Sequence, residues 1–269
     1  MIFKARNYTL DLKEAKVMAV INLTPDSFYE GSRFDVNSAV SHAVQAVKDG
    51  AAVIDIGAQS TAPDSKPVTD EEELERLIVP LRALRSAIDV PISVDTFFPS
   101  VANAALENGA DIINDVSGKD DGAMSAVAAL HGAGHIIMHT DGLSSNEMRT
   151  DTADITDKIN SFFLSAVSAA ENAGLKKESI CLDPGIGFGK SREDDLKIIT
   201  DFKKLDKLGC ASLAGLSRKR ITKLCGDALT GTVIFNTRCI LGGANIIRVH
   251  DTVQGIASVK AAQMILKGI

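Results

Sequence analysis

Eight short apolar runs of β type alternate along the chain with longer stretches of helical periodicity. The runs cover residues 16–21, 52–56, 91–94, 111–113, 135–138, 179–182, 211–215 and 245–249. Regular alternation of strand and helix is typical of parallel strands joined by helical crossovers. The runs are rich in Val, Ile and Ala, as a sheet covered on both faces requires. The pattern therefore predicts an α/β fold.

The stretches between the runs have the spacing of amphipathic helices. In the first of them, Val36, Val40, Ala43 and Val47 share one face. The eight predicted helices cover residues 36–49, 71–88, 99–108, 122–130, 155–173, 194–208, 232–241 and 253–266. Glycines stand where several of them should end. Eight strands with eight helices favour the closed (β/α)8 barrel, or TIM barrel, over an open sheet.

The length of the chain fits one barrel. It has 269 residues, of which 45% are hydrophobic, and no linker or low-complexity segment interrupts it. Barrels of this type commonly have about 250 residues. We therefore predict a single domain over residues 1–269. The residues before Lys16 are expected to form a β extension that covers the bottom of the barrel.

Composition argues against several classes of protein. A net charge of −6 without a basic cluster argues against nucleic-acid binding. No stretch approaches the roughly 20 apolar residues of a membrane span, and no signal peptide is evident. The four cysteines lack Cys-x-x-Cys spacing, which is typical of reduced thiols. We therefore expect a cytoplasmic protein without a nucleic-acid or membrane partner.

Polar side chains follow the C-terminal end of every predicted strand. In a barrel these ends form one rim, where active sites of this fold lie. The most distinctive of these sequences is 182–190, in which Asp183 and Pro184 precede three alternate glycines and Lys190. Its spacing fits neither the phosphate-binding P-loop nor the dinucleotide fingerprint. This stretch is therefore predicted to be a strand that ends in a functional loop.

Two groups of polar residues at this rim suggest a chemistry. Any one Asp or Asn at a strand end more often caps the next helix, but several aimed at one crater indicate a binding site. Two carboxylates, an amide and an ammonium suit a flat heterocycle, and they belong to Asp95, Asn114, Asp183 and Lys219. The second group of residues is cationic and suits an anion. It comprises Arg218, Arg220, Arg248 and His250.

The sequence resembles the dihydropteroate synthase family over essentially the whole chain. The most specific motifs are Asn-Leu-Thr-Pro-Asp-Ser-Phe at 22–28 and Leu-Asp-Pro-Gly-Ile-Gly-Phe-Gly-Lys at 182–190. The other matching motifs lie, in the family's order, at 53–57 with 60–61, 93–96, 112–115, 138–139, 215–219 and 247–251. The family fold is the same eightfold barrel that the alternation of strands and helices predicts.

The resemblance implies a transferase of folate biosynthesis. The family joins 4-aminobenzoate to 6-hydroxymethyl-7,8-dihydropterin diphosphate and releases diphosphate. It uses Mg²⁺, it is usually homodimeric, and it is the sulfonamide target. The expected partners are therefore two small-molecule substrates and a second copy of the chain.

The resemblance also implies roles for individual residues. The pterin would contact Asp95, Asn114, Asp183 and Lys219, and its pocket would be walled by Met138, Phe188 and Gly215. The diphosphate would contact Asn22, Thr61, Arg248 and His250. The metal would contact Asn22. The aminobenzoate would lie beside Phe28, Thr61, Pro63, Ser217 and Lys219. Catalysis would depend on Asp95, Asp183, Lys219 and Arg248.

The chain departs from the family pattern in two loops. Ala62 stands where the family has an arginine that binds diphosphate, and we interpret Arg220 as a partial replacement for that charge. Residues 140–149 also lack the usual pattern of the fifth loop. These departures leave open a weakly active or non-catalytic pterin-binding paralogue. A pterin-dependent methyltransferase on the same barrel is a further alternative, although it would not need Arg248 and His250.

Overall fold

The chain folds into a closed eight-stranded barrel with helices on its outside. The structure, a computed structural model, describes residues 1–23, 36–59, 68–119, 121–142 and 153–269. The barrel strands are β3 (Lys16–Asn22), β4 (Val53–Gly57), β5 (Ile92–Thr96), β6 (Ile112–Asp115), β7 (Gly134–Met138), β8 (Ile180–Asp183), β9 (Ala211–Ala214) and β10 (Ile246–Val249). The helices are α1 (Val36–Lys48), α2 (Asp70–Ala87), α3 (Pro99–Glu107), α4 (Ala123–His131), α5 (Ile155–Asn172), α6 (Arg192–Thr200), α7 (Ala228–Leu241) and α8 (Thr252–Lys267).

Strand order confirms the predicted (β/α)8 barrel. Strands that follow one another in the chain are neighbours in the barrel, and all of the pairs are parallel. The barrel closes because β10 pairs with both β9 and β3. All of the strands therefore direct their C-terminal ends to one rim.

An N-terminal hairpin closes the opposite end of the barrel, as predicted. It consists of β1 (Ile2–Ala5) and β2 (Tyr8–Asp11), which pair antiparallel. Phe3, Ala5 and Leu12 are buried against a layer of inward-pointing barrel residues. We call this layer the bottom layer, and it comprises Met18, Val53, Ile112, Ile136, Cys181, Ala211, Leu213 and Ile246.

Gly134 gives a test of how tightly the hairpin seals the barrel. A Cβ at this position would lie 2.7 Å from Cζ of Phe3 and 3.1 Å from Cβ of Ala5. We expect Gly134→Ala to lower the free energy of unfolding by about 1–3 kcal/mol, because overpacking forces neighbouring groups apart. Urea unfolding measures this loss, and adding Phe3→Leu should recover part of it. An unchanged unfolding midpoint in Gly134→Ala would contradict the close packing of the hairpin.

Helix α6 differs from its predicted range of 194–208. It begins at Arg192 because the Ser191 hydroxyl accepts the Asp194 N–H, and Asp194 in turn accepts the Ser191 N–H in a capping box. It ends at Thr200, and a 3₁₀ turn at Phe202–Lys204 then buries the Phe202 ring completely. Residues 201–208 were therefore wrongly predicted as α-helix.

Helix α7 begins four residues before its predicted start at Thr232. One carboxylate oxygen of Asp227 accepts the N–H groups of Leu229 and Thr230 at 2.9 and 2.8 Å, which caps the helix. Gly231 lies in the first turn, where a Cβ would come within 1.9 Å of the Thr222 carbonyl oxygen. Glycine here lets α7 pack on a 3₁₀ turn at Arg220–Cys225, which was not predicted.

Among the helices of the described residues, none is long and apolar enough to cross a bilayer. All four cysteines are free thiols, and three of them are buried.

Candidate active site

The polar residues at the barrel mouth follow from the alternation of side chains along the strands. Successive strand residues point to opposite faces, so a residue two positions beyond the bottom layer also points inward. Asp55 follows Val53 in this way, and Asn114 follows Ile112. Asp183 and Arg248 have the same relation to the bottom-layer residues of β8 and β10.

The Arg248 guanidinium joins two carboxylates at the centre of the mouth. Its Nε donates to Oδ2 of Asp55 over 2.6 Å, and its Nη2 donates to Oδ2 of Asp95 over 2.8 Å. The Asn114 amide nitrogen lies 3.5 Å from the same Asp55 oxygen. Strands β4, β5, β6 and β10 thus contribute to one connected network, as expected for Asp95, Asn114 and Arg248.

Asp55 is the member of this network that the sequence analysis did not single out. Its side chain is completely buried. A buried carboxylate needs a cationic partner, since an isolated charge in an apolar interior is strongly unfavourable. Arg248 supplies that partner. The signal was a single charged residue within an otherwise apolar strand, Val53–Gly57.

Asp95 has an unusual environment for a carboxylate. Burial raises its pKa to about 7, although the Arg248 guanidinium beside it lowers the pKa and so limits the rise. Asp55 and Asp115 add negative charge that raises the pKa further. The Asp95 carboxyl therefore changes charge close to neutral pH, within hydrogen-bonding distance of Arg248.

Asp183 ends β8, and its carboxylate is tied to the loop that follows. Its Oδ1 accepts the backbone N–H of Gly185 over 2.7 Å. Its Oδ2 borders Gly215, where a Cβ would lie 3.5 Å from that oxygen. Burial raises the pKa of Asp183, and the Lys219 ammonium opposes this rise. This carboxylate therefore belongs to the same pocket as Lys219.

Lys219 reaches from the loop after β9 to the glycine-rich loop after β8. Its Nζ donates to the Ile186 carbonyl oxygen over 2.5 Å and lies 4.1 Å from the centre of the Phe188 ring. The second distance is that of a cation–π contact. Burial lowers the pKa of Lys219 to about 8, and Asp183 opposes this shift. Lys219 therefore remains mainly an ammonium at neutral pH.

The three residues predicted as pocket walls border these charged groups. Met138 is buried and pairs in register with Asp183 across β7 and β8. Phe188 lies against the Lys219 ammonium. Gly215 borders Arg248, since a Cβ at this position would lie 3.9 Å from Cβ of Arg248.

Two of the four residues expected to bind the diphosphate lie where β3 and β10 meet. Asn22 and His250 line a cavity of about 530 Å³, together with Arg218. Arg218 is held by Asp251, to which its Nε donates over 2.8 Å. The Ser217 hydroxyl accepts the His250 N–H over 3.2 Å. Ser217, expected beside the aminobenzoate, is therefore already joined to the residues of the cavity.

Some predicted contacts fall elsewhere or outside the described chain. The Arg220 Nη2 donates to the Lys190 carbonyl oxygen over 3.1 Å, so the Arg220 guanidinium is hydrogen-bonded to the end of the glycine-rich loop. This contact gives no support to Arg220 as the replacement for a diphosphate-binding arginine. The remaining expected positions lie outside the described residues, and they are Phe28, Thr61, Ala62 and Pro63.

Comparison with known proteins identifies the family. Residues 18–250 match the family model described as pterin binding enzyme. The chain is 41% identical to the dihydropteroate synthase of Synechocystis sp. over 248 residues, which cover 89% of this chain and 86% of that protein.

Two solved structures of dihydropteroate synthases are also similar to this chain. A dihydropteroate synthase of Xanthomonas albilineans with 4-aminobenzoic acid has a TM-score of 0.89 at 34% identity, with 98% of both chains covered. One of Clostridium difficile, in the presence of pteroic acid, has a TM-score of 0.87 at 36% identity, covering 94% of this chain and 97% of that one. The chain belongs to the dihydropteroate synthase family.

Proposed function

We propose that this chain joins 4-aminobenzoate to 6-hydroxymethyl-7,8-dihydropterin diphosphate, giving 7,8-dihydropteroate and diphosphate. The observation that carries the proposal is the network in which Arg248 bridges Asp55 and Asp95 at the barrel mouth. Further support comes from two similar structures, one described with 4-aminobenzoic acid and the other in the presence of pteroic acid. The comparisons do not support a methyltransferase or a non-catalytic paralogue.

The pterin ring would lie across the mouth of the barrel, between the glycine-rich loop after β8 and the loop after β9. Carboxylates suit its ring N–H and amino donors, and ammonium and amide groups suit its acceptors. Asn114, Asp183 and Lys219 would hold its polar edge, with Asp95 beside them. Met138, Phe188 and Gly215 would enclose its faces.

The chemical step follows from the charges around that ring. The bond between the pterin methylene carbon and a diphosphate oxygen breaks, and both electrons leave with the diphosphate. The carbon becomes a cation shared with the pterin ring, which the Asp95 and Asp183 carboxylates stabilise. The amine nitrogen of 4-aminobenzoate then bonds to this carbon and loses a proton. No protein nucleophile is needed.

The departing diphosphate needs positive and hydrogen-bonding groups. Asn22 and His250 line the cavity where β3 and β10 meet, and we propose that the diphosphate lies there. Arg248 lies two residues before His250, which lines this cavity, although two carboxylates already balance much of the Arg248 charge. We propose that Arg248 mainly orders the pterin pocket and adds a weaker attraction for the diphosphate. Thr61 keeps its proposed place beside the diphosphate.

We propose that Mg²⁺ binds at this site mainly through the diphosphate of the substrate. Among the described residues, no group of three or more His, Cys, Asp or Glu side chains could hold a metal. Mg²⁺ commonly takes one or two protein ligands together with substrate phosphates and water. We propose that the Asn22 amide oxygen is such a ligand. The ion would stabilise the negative charge of the diphosphate.

The 4-aminobenzoate is proposed to approach over the loop after β9. Ser217 and Lys219 lie on that loop, and Lys219 is shared with the pterin pocket. Phe28, Thr61 and Pro63 remain proposed contacts of this substrate.

We also propose that the protein is a cytoplasmic homodimer. Support for association comes from α7 and α8, which pack side by side and expose Ile234 and Ile265. Exposed apolar side chains on neighbouring helices are typical of protein interfaces. Sedimentation equilibrium measures the mass of the particle directly.

The charges of the pocket predict how activity depends on pH. Asp95 has a pKa of about 7 and Lys219 a pKa of about 8, so the fraction of molecules in which both groups are charged is largest between these values. We expect kcat/KM for the pterin substrate to rise with pH to a maximum in this interval and then fall. Asp95→Asn should remove the acidic limb. A profile that is flat from about pH 6 to about pH 9 would contradict the required charges.

A turnover assay tests the proposed function. Purified protein with Mg²⁺, the pterin diphosphate and radiolabelled 4-aminobenzoate should release diphosphate and labelled dihydropteroate in equal amounts. A parallel reaction with a methylated pterin and a corrinoid acceptor should give no methyl transfer. Methyl transfer, or pterin binding without diphosphate release, would overturn the proposal in favour of one of the two alternatives.

A further inference from the structure

Lys190 is a completely buried lysine that the proposed reaction does not use. Its Nζ donates to the carbonyl oxygens of His139, Gly185 and Phe188 at 3.2, 2.9 and 3.1 Å. An ammonium has three N–H donors, so each of them has an acceptor. Burial lowers the pKa of Lys190 to about 8, and the Asp141 carboxylate opposes the shift. The group is therefore mainly an ammonium at neutral pH.

The three carbonyl groups belong to two loops that meet backbone to backbone. His139 directly follows β7, whereas Gly185 and Phe188 belong to the glycine-rich loop after β8. A Cβ at Gly185, where φ is +63°, would lie 1.9 Å from the His139 oxygen. Three carbonyl dipoles thus point their negative ends at one place, where only a cation or strong donors can satisfy them.

The same loop holds Lys219 in the pocket. The Ile186 carbonyl oxygen, which accepts from Lys219, lies one residue after Gly185. The Phe188 ring, which contacts the Lys219 ammonium, belongs to a residue whose own carbonyl binds Lys190. The contacts of Lys190 therefore flank both of the contacts that fix Lys219.

We propose that Lys190 is a positioning residue for the pterin pocket, because its ammonium fixes the loop that places Lys219. This inference rests on the proposed function for the identity of the ligand. Lys190 itself has no exposure to solvent, and its ammonium donates to carbonyl groups of the two loops. Its effect on the substrate is therefore indirect, through the Ile186 carbonyl, the Phe188 ring and the lowering of the Asp183 pKa by the Lys190 charge.

Lys190→Met tests this role because methionine keeps the length of the side chain and removes its charge. We expect the Kd for the pterin diphosphate, measured by calorimetry without 4-aminobenzoate, to rise by about 10- to 100-fold, since small displacements of positioning groups have effects of this size. The number of binding sites per chain should stay the same. A merely structural role would instead lower the number of competent sites and leave the Kd unchanged.

Lys207→Met is the matched control. Lys207 is a partly buried lysine whose pKa is likewise lowered, and its Nζ donates to the Phe202 carbonyl oxygen over 3.3 Å, outside the pocket. Its replacement should leave the Kd within about twofold of the wild-type value, because it touches no residue of the site.

Lys190→Gln covers the case in which Lys190→Met does not fold, because its amide can still donate two hydrogen bonds. A wild-type Kd in either folded variant overturns the inference, and so does an equal rise in Lys207→Met. Failure of both Lys190 variants to fold would assign this residue to barrel stability alone and would also overturn it. If the wild-type protein itself binds no pterin, the proposed function fails instead.

Discussion

Replacing Arg248 by methionine is expected to reduce both stability and activity sharply. The change leaves the Asp55 carboxylate, which is fully buried, and the Asp95 carboxylate without their shared cation. Breaking one partner of a buried ion pair costs about 3–5 kcal/mol, and urea unfolding at neutral pH should show a loss of this size. We expect kcat/KM for the pterin substrate to fall by at least about 100-fold.

The pH dependence of this loss identifies its cause. Carboxylates that lose their cation have a raised pKa in the folded protein, so folding then favours their protonated form. The Asp95 part of the stability deficit should therefore be largest above the wild-type Asp95 pKa of about 7 and should shrink as pH falls below that value. A deficit that does not change with pH would point to lost packing instead.

Two further variants serve as controls for Arg248→Met. Arg218→Met removes an arginine whose side chain is 55% exposed and which is paired with Asp251, so it should cost at most about 1 kcal/mol. The double change Asp55→Asn with Arg248→Met should be more stable than Arg248→Met, since it removes one unpaired charge. If the double variant is no more stable, Asp55 is not the group that Arg248 neutralises.

Asp183→Asn is expected to give the second large effect, on activity with little change in stability. Asparagine keeps an oxygen that can accept the Gly185 N–H, so the loop should remain in place. It removes a negative charge beside the proposed cationic carbon. We expect kcat/KM to fall by about 10²- to 10³-fold. Steady-state kinetics and urea unfolding should be measured on the same preparation.

The alkaline limb of the pH profile should move in a predictable direction in this variant. Asp183 is the largest influence that raises the pKa of Lys219. Removing it should lower that pKa, so activity should decline at a lower pH than in the wild type. Asp195→Asn is the graded comparison and should shift the limb less, because Asp195, which accepts the Gly187 N–H over 2.7 Å on the same loop, raises the pKa of Lys219 less than Asp183 does. Equal losses in both variants would argue against a specific role for Asp183.

Most of the fold was predictable because every barrel strand is a short apolar run bounded by turns. A β extension at the bottom of the barrel was also predicted from the sequence, but the residues against which it packs were not. The errors arose where local signals conflict. Gly231 disfavoured a helix start that Asp227 in fact caps, and the periodicity through 201–208 concealed the turn at Phe202–Lys204.

The site was predictable in its residues and less so in its contacts. Asp95, Asn114, Asp183 and Lys219 end separate strands or follow them, and parallel strands bring such ends together. Asp55 was missed because it lies within a strand, whereas the prediction considered only the residues at the strand ends. The partnership of Arg248 with Asp55 joins residues 193 positions apart, and only the closure of the barrel shows it.

A crystal structure of the chain with a bound pterin tests the central claim most directly. The claim predicts a ring at the C-terminal mouth of the barrel, with polar atoms in hydrogen-bonding distance of Asn114, Asp183 and Lys219. Arg248 should remain between the two carboxylates beneath it. A pterin bound elsewhere, for example beside Gln45 and Asp49 in the neighbouring cavity, would contradict the account.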